Sequence, residues 1–151
     1  MNGSEFQKYL SLLREISGAL ARLTGIQQEK ARSVRLDDLR GLDACMKQEQ
    51  AIGMALRGYE QKRLASLSAL GLQGATLGAL RDLAPEGCRQ EARETVEELN
   101  EQYRQFHSAA EVARNTLECN LHEIEKSLGD LGQETEEGIE FPETLHREFR
   151  A

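Results

Sequence analysis

An apolar heptad repeat in the second half of the chain constrains the fold more than any other feature. Because apolar residues spaced alternately three and four apart line one face of a helix, the repeat predicts a long helix over about residues 86–131 that packs against other helices. After Ala113 the stripe moves sideways to Leu121 and Leu128, so the last third of this helix faces a different direction. The repeat consists of Val96, Tyr103, Ala110, Leu117, Ile124 and Leu131, with Leu99, Phe106 and Ala113 between them.

Two earlier segments carry the same helical periodicity. A capping box that begins at Ser4 opens a first helix over about residues 5–33. The aspartate pair at 37–38 supplies the cap and a first-turn acid of a second helix over about 38–70, and Gly71 ends it. The residues expected in the core are Phe6, Tyr9, Leu13, Ile16, Leu20 and Leu23 on the first helix, and Leu39, Leu42, Cys45 or Met46, Ile52, Leu56, Tyr59, Leu67 and Leu70 on the second.

The rest of the chain completes an all-α architecture. Thr76 caps a short helix over about 77–83, and Pro85 suits the first turn of the long helix. We therefore expect an elongated antiparallel three-helix bundle, or coiled-coil-like hairpin, with a short connecting helix and a C-terminal tail. Residues 1–131 would form the helical domain, and the glutamate-rich residues 132–151 a mobile acidic tail with at most one turn of helix from Thr144.

Charge and composition exclude several classes of partner. A net charge of −7 and a pI near 5.1 argue against nucleic acid, whose binding depends on clustered lysine and arginine. No apolar run approaches the roughly 18 residues of a membrane span. Because Cys45, Cys88 and Cys119 are odd in number and far apart, we interpret them as reduced thiols and expect a cytoplasmic protein.

The sequence also contains few candidates for catalytic or metal-binding sites. His107, His122 and His146 are not spaced as metal-ligand pairs, and Cys119 lies one helical turn from His122 without a recognisable catalytic motif. No glycine-rich phosphate loop or nucleophile elbow occurs. The sequence therefore predicts no enzyme activity, no metal and no cofactor.

Helix length predicts where a partner would bind. The second helix would be about 50 Å long and the long helix about 69 Å. If the two pair antiparallel, the long helix passes the start of the second near residue 119, and the remainder projects beyond the hairpin. The tail, the joint near 33–36, a partner's helix or a second copy of the chain could cover this projecting face. Its apolar residues are Leu117, Leu121, Ile124, Leu128 and Leu131.

The order of several short segments resembles the FlgN-type flagellar export chaperones over roughly Ile26 to Leu128. Asn115 and Asn120, beside Leu117 and Leu121, are similar to the paired asparagines of that family's long helix, which adds Asn120 to the predicted binding residues. The segments that carry the resemblance are Asp37-Asp38-Leu39-Arg40-Gly41-Leu42, Ser68-Ala69-Leu70-Gly71-Leu72, Thr76-Leu77-Gly78-Ala79-Leu80 and Ala84-Pro85-Glu86.

The resemblance implies a cytoplasmic chaperone. Such a protein binds the C-terminal segments of hook–filament junction proteins, prevents their premature assembly and delivers them to the flagellar type III export apparatus. Capture would use helix-in-groove recognition at the end of the long helix. Ile139 and Phe141 in the tail would contact the export machinery or shield the empty groove. The alternative hypothesis is a structural coiled-coil homodimer, or an adaptor subunit, without chaperone activity.

Overall fold

The computed structural model describes residues 3–129 and 141–150, and these residues form helices and turns without any strand. The predicted all-α helical bundle is confirmed. Its three long helices pack together, and two short helices lie against them. The helices are α1 (Gly3–Arg35), α2 (Leu39–Ala69), α3 (Leu77–Leu83), α4 (Arg89–Leu128) and α5 (Glu143–Arg150), with a 3-10 turn at Glu86–Cys88 before α4.

α1 is the central helix of the bundle. It packs against both α2 and α4, whereas these two helices contact α1 far more than they contact each other. Its buried face is correspondingly wider than the predicted stripe, because Leu10 and Ala19 are also fully buried. A helix with neighbours on two sides needs an apolar arc broader than a single coiled-coil seam. The direct pairing of the second helix with the long helix, on which the length prediction depended, is therefore replaced by packing through α1.

The directions of the three long helices follow from their contacts. α1 and α2 are antiparallel, because the short turn at residues 36–38 joins them and Lys30 near the end of α1 pairs with Glu49 of α2. α1 and α4 are parallel, because Gln7 near the start of α1 donates a hydrogen bond of 2.5 Å to Glu91 near the start of α4. The connection from α2 to α4, which includes α3, lies at the end of the bundle where α1 begins.

α2 presents an unusual buried face. Its buried positions recur at steps of three and four residues, but only part of them are apolar. Leu39, predicted in the core, is 78% exposed, because it lies at the first turn of α2, beyond the last residue of α1, and faces no other helix. The buried residues are Cys45, Glu49, Gly53, Leu56, Glu60, Arg63 and Leu67.

The charged residues of this face form two buried networks. In the first, the Lys30 ammonium lies 3.2 Å from a carboxylate oxygen of Glu49, which also accepts a 2.6 Å hydrogen bond from Gln27. All three side chains are buried. Because an unpaired charge in this position would lose its hydration without compensation, the pair constrains the register of α2 on α1.

The second network is centred on a buried arginine. Arg63 is 1% exposed and binds both carboxylate oxygens of Glu60, with its Nε at 2.5 Å and its Nη2 at 3.0 Å. Its Nη1 also donates to the Tyr9 hydroxyl at 3.4 Å. Burial opposes the positive charge, but the bonds with Glu60 and Tyr9 outweigh it and raise the pKa of Arg63 above its ordinary value. For the Tyr9 hydroxyl, by contrast, burial is the main cause of a raised pKa, because it disfavours the charged phenolate.

Side-chain caps define the starts of α2 and α3. Of the predicted aspartate pair, Asp38 is the cap of α2, because its carboxylate accepts a 2.9 Å hydrogen bond from the Gly41 amide. A Cβ atom at Gly41 would lie 2.7 Å from the Ser33 hydroxyl, so the close joint favours glycine there. Thr76 caps α3 as predicted, accepting from the Ala79 amide at 3.2 Å.

The C-terminal segment differs from the predicted mobile tail. Residues 130–140, including Leu131 and Ile139, lie outside the described residues. From Glu143 the chain forms α5, in which Leu145 is fully buried against the bundle. Leu145 and Phe149 are four residues apart and share one face of α5, and Phe141, two residues before the helix, packs beside them against the bundle. The many glutamates around them hid this short amphipathic pattern.

The three cysteines differ in their surroundings. Cys45 and Cys88 are buried, whereas Cys119 is exposed on α4. Burial, together with the nearby carboxylates of Glu29 and Glu49, raises the pKa of the Cys45 thiol. Only thiolates react rapidly, so both access and ionisation protect this cysteine.

We expect a thiol-reactive dye at pH 8 to label Cys119 at least about tenfold faster than Cys45 or Cys88. Stopped-flow absorbance, followed by mass spectrometry of the labelled peptides, measures the three rates. Replacing Cys119 with serine should remove the fast phase, and denaturant should make all three thiols react alike. Equal rates in the native protein would contradict the burial of Cys45 and Cys88.

Candidate protein-binding site

The end of α4 extends beyond the hairpin of α1 and α2. Glu91 contacts both Gln7 and Arg14, which fixes the register between the two parallel helices. Advancing both helices in step from these contacts places Arg35, the last residue of α1, beside α4 between about residues 112 and 119. The remaining length of α4 therefore projects by about 14 to 24 Å.

Burial along α4 agrees with this geometry. Ala113 is 1% exposed and is the last buried residue of the helix. Beyond it, Leu117, Asn120 and Leu121 are half-buried. Ile124 is 46% exposed and Leu128 is 63% exposed, and both lie in the part of α4 that neither α1 nor α2 reaches.

These side chains form one continuous face, which we call the α4 strip. Leu117, Leu121, Ile124 and Leu128 are separated by four, three and four residues, so they lie on one side of the helix. Asn120 lies one turn from both Leu117 and Ile124, and places a polar amide beside the apolar residues. The helix thus brings together every predicted binding residue except Leu131, which is outside the described residues.

Acidic side chains surround the α4 strip. Glu118 and Glu123 are exposed, Glu125 is half-buried, and Lys126 is the only basic residue of the last turn. A partner helix with an apolar face and basic flanking residues would complement this surface.

α5 packs against a second surface, which lies nearer the middle of α4 than the strip does. We call it the α5 groove and define it by Glu60 of α2, Leu77 of α3, and Tyr103 and Phe106 of α4. The half-buried Tyr103 was predicted only as a core residue of the heptad repeat, and no sequence pattern pointed to a groove at this place. What could have indicated one is the spacing of the apolar residues in the tail.

Aromatic contacts hold both ends of α5 in the groove. The ring of Phe141 stacks on Phe106 with centroids 5.9 Å apart and an interplanar angle of 14°. The ring of Phe149 stacks on Tyr103 at 4.0 Å and 12°. The Tyr103 hydroxyl also lies 2.8 Å from Nδ1 of His146. Phe141, predicted to contact the export machinery or shield an empty groove, thus packs against the protein's own α4.

Two polar contacts fix the other side of α5. The Thr144 hydroxyl donates a 2.7 Å hydrogen bond to the Glu60 carboxylate, which is already paired with Arg63. A carboxylate oxygen of Glu148 accepts a 3.1 Å hydrogen bond from the Leu77 amide at the start of α3. Negative charge at a helix N-terminus is favourable. α5 therefore connects α2, α3 and α4.

The described part of the chain offers little for chemistry. Within residues 3–129 and 141–150, no three histidine, cysteine, aspartate or glutamate side chains are grouped as a metal ion would require. None of the described helices has both the length and the apolar character needed to cross a membrane.

Comparisons with protein-family models, with curated proteins and with solved structures found no match to this chain.

Proposed function

We propose that the protein is an export chaperone of the FlgN type, which binds the C-terminal segments of hook–filament junction proteins in the cytoplasm. It would prevent their premature assembly and deliver them to the flagellar type III export apparatus. The order of sequence segments from Ile26 to Leu128 supports this proposal, as does the all-α bundle with one long projecting helix. Binding, and not catalysis, would be its activity.

The observation that carries the proposal is the exposure of the α4 strip. Ile124 and Leu128 present large apolar side chains to solvent on a part of α4 that neither α1 nor α2 covers. Contiguous apolar surface of this kind is typical of protein-binding sites. An amphipathic helix of a junction protein would bury its own apolar face against the strip. Covering that face would keep the junction protein from self-assembly, and the modest contact area would allow release at the export apparatus.

Charging the strip tests the proposal. Replacing Ile124 and Leu128 together with glutamate is expected to weaken binding of a junction protein's C-terminal segment about 30-fold, or about 2 kcal/mol, because two apolar contacts become buried unpaired charges. Fluorescence anisotropy with a labelled segment measures the affinity. Circular dichroism should show unchanged helical content.

A matched control separates the site from the general effect of added charge. Met54 and Leu83 are 66% and 45% exposed, close to the values of Leu128 and Ile124, but lie on α2 and α3. Glutamate at both should leave the affinity unchanged. If the two double variants bind the segment equally well, the α4 strip is not the site.

The alternative, a structural homodimer, makes a different prediction for the same variants. Light scattering would show a dimer of the unmodified protein that dissociates when Ile124 and Leu128 are charged. If such a dimer ignores every junction protein segment, the chaperone proposal fails and the α4 strip is a dimer interface.

A further inference from the structure

We infer that the α5 groove is a second helix-binding surface. An amphipathic helix of a junction protein would bind there in place of α5. This inference rests on the proposed function and adds a second surface to it. The C-terminal segment shows which occupant fits the groove: Leu145 and Phe149 lie on α5, and Phe141 lies two residues before it, so that aromatic rings flank a buried aliphatic side chain.

α5 is weakly held compared with the long helices. It has eight residues, and an isolated helix shorter than about 12 residues is marginal in water, so its order depends on docking. Of its described side chains only Leu145 is fully buried, while His146 and Phe149 remain half-buried. An external helix therefore has few contacts to replace.

The two polar contacts of α5 can also be broken without leaving a buried charge unpaired. When the Thr144 hydroxyl leaves, the Glu60 carboxylate keeps both of its bonds with Arg63, so no buried charge loses its partner. The Leu77 amide lies at a helix start, where water can replace the Glu148 carboxylate. Removal of α5 thus mainly loses apolar contacts, whereas separation of α1 from α2 would also break the buried Lys30–Glu49 ion pair.

The walls of the groove have the composition of a binding surface. Tyr103 and Phe106 provide aromatic faces, and the Glu60 carboxylate, which is paired with Arg63, accepts the hydrogen bond from Thr144. Tyrosine is over-represented at energetic centres of protein interfaces. The matching occupant is a junction protein segment with aromatic residues eight positions apart, the first of them just before a short helix. An aliphatic residue lies midway between them, and a hydroxyl side chain immediately precedes the aliphatic residue.

Releasing α5 in the full-length protein tests the inference. The probe is a fluorescent peptide with the sequence of residues 141–151. Replacing Leu145 with alanine removes the one side chain that is fully buried among those described in α5, and leaves the groove intact. We expect this variant to bind the peptide at least about tenfold more tightly than the unmodified protein, in which the tethered α5 competes at an effective concentration of about 1 mM.

Two further variants test whether the gain in peptide affinity depends on the α5 groove. Arg147 lies on the exposed side of α5, so its replacement with alanine should leave peptide binding as weak as in the unmodified protein. Adding Tyr103→Ser to Leu145→Ala should abolish the gain, because the peptide loses its stacking partner for Phe149 and its hydrogen bond for His146. Circular dichroism confirms that each variant is folded.

The outcomes distinguish this inference from the proposed function. Equal affinity of the Leu145→Ala variant and the unmodified protein for the peptide would overturn the groove inference, as would a gain that survives Tyr103→Ser. A junction protein segment that still binds through the α4 strip would in that case leave the proposed function standing. Peptide capture by the groove without any binding of junction proteins would support the groove and sink the chaperone proposal.

Discussion

Replacing Arg63 with methionine is expected to lower the free energy of unfolding by about 3–5 kcal/mol. Arg63 is 1% exposed and holds both carboxylate oxygens of Glu60. Methionine fills most of the volume but leaves the Glu60 carboxylate buried and without its ion-pair partner. The remaining hydrogen bond from Thr144 offsets only part of the lost interaction. Urea denaturation, followed by circular dichroism at 222 nm, measures the change.

The Lys47–Asp43 pair on the same helix provides the matched control. Its side chains are 75% and 65% exposed, so replacing Lys47 with methionine should change stability by less than about 0.5 kcal/mol. Adding Glu60→Leu to Arg63→Met should recover most of the loss, since the unpaired charge is then removed. Equal effects of the Lys47 and Arg63 variants would show that Arg63 is not in a buried ion pair.

Replacing Leu56 with alanine is expected to cost about 2–5 kcal/mol, because it opens a cavity where α2 meets the core. Leu56 is fully buried, and few other residues of the buried face of α2 are aliphatic. The same substitution at Leu39 should cost less than about 0.5 kcal/mol, since that side chain is 78% exposed.

The Leu56 and Leu39 variants distinguish the burial seen in the structure from the burial that the sequence pattern predicts. The periodicity of α2 predicts both leucines in the core, whereas the structure buries only Leu56. Denaturation midpoints of the two proteins, measured under identical conditions, decide between them. Comparable losses at the two positions would place α2 in a different register on α1.

Much of the fold was predictable from local patterns. The three long helices, the Thr76 cap and the short α3 follow from apolar periodicity and capping residues, which act within a few positions of the chain. The boundaries agree to within a few residues. The long helix begins at Arg89 after a 3-10 turn, three residues later than the pattern suggested.

Contacts between distant segments could not be predicted in this way. A periodicity of three and four residues marks apolar faces but not buried ion pairs, so Glu49, Glu60 and Arg63 looked like gaps in the face of α2. Their burial depends on Lys30 and Tyr9, which are supplied by another helix. For α5 the sequence indicated at most one turn of helix from Thr144, because a helix of eight residues is too short to be stable without the groove that holds it.

The candidate binding residues show the same difference between what local spacing predicts and what tertiary contacts determine. The spacing of Leu117, Leu121, Ile124 and Leu128 is enough to predict that they share one face of a helix, because helical geometry is local. Tertiary packing leaves Ile124 and Leu128 exposed, since exposure depends on where α1 and α2 end. It also decided that Phe141 packs on Phe106, because burial is a property of neighbours that the chain brings together only on folding.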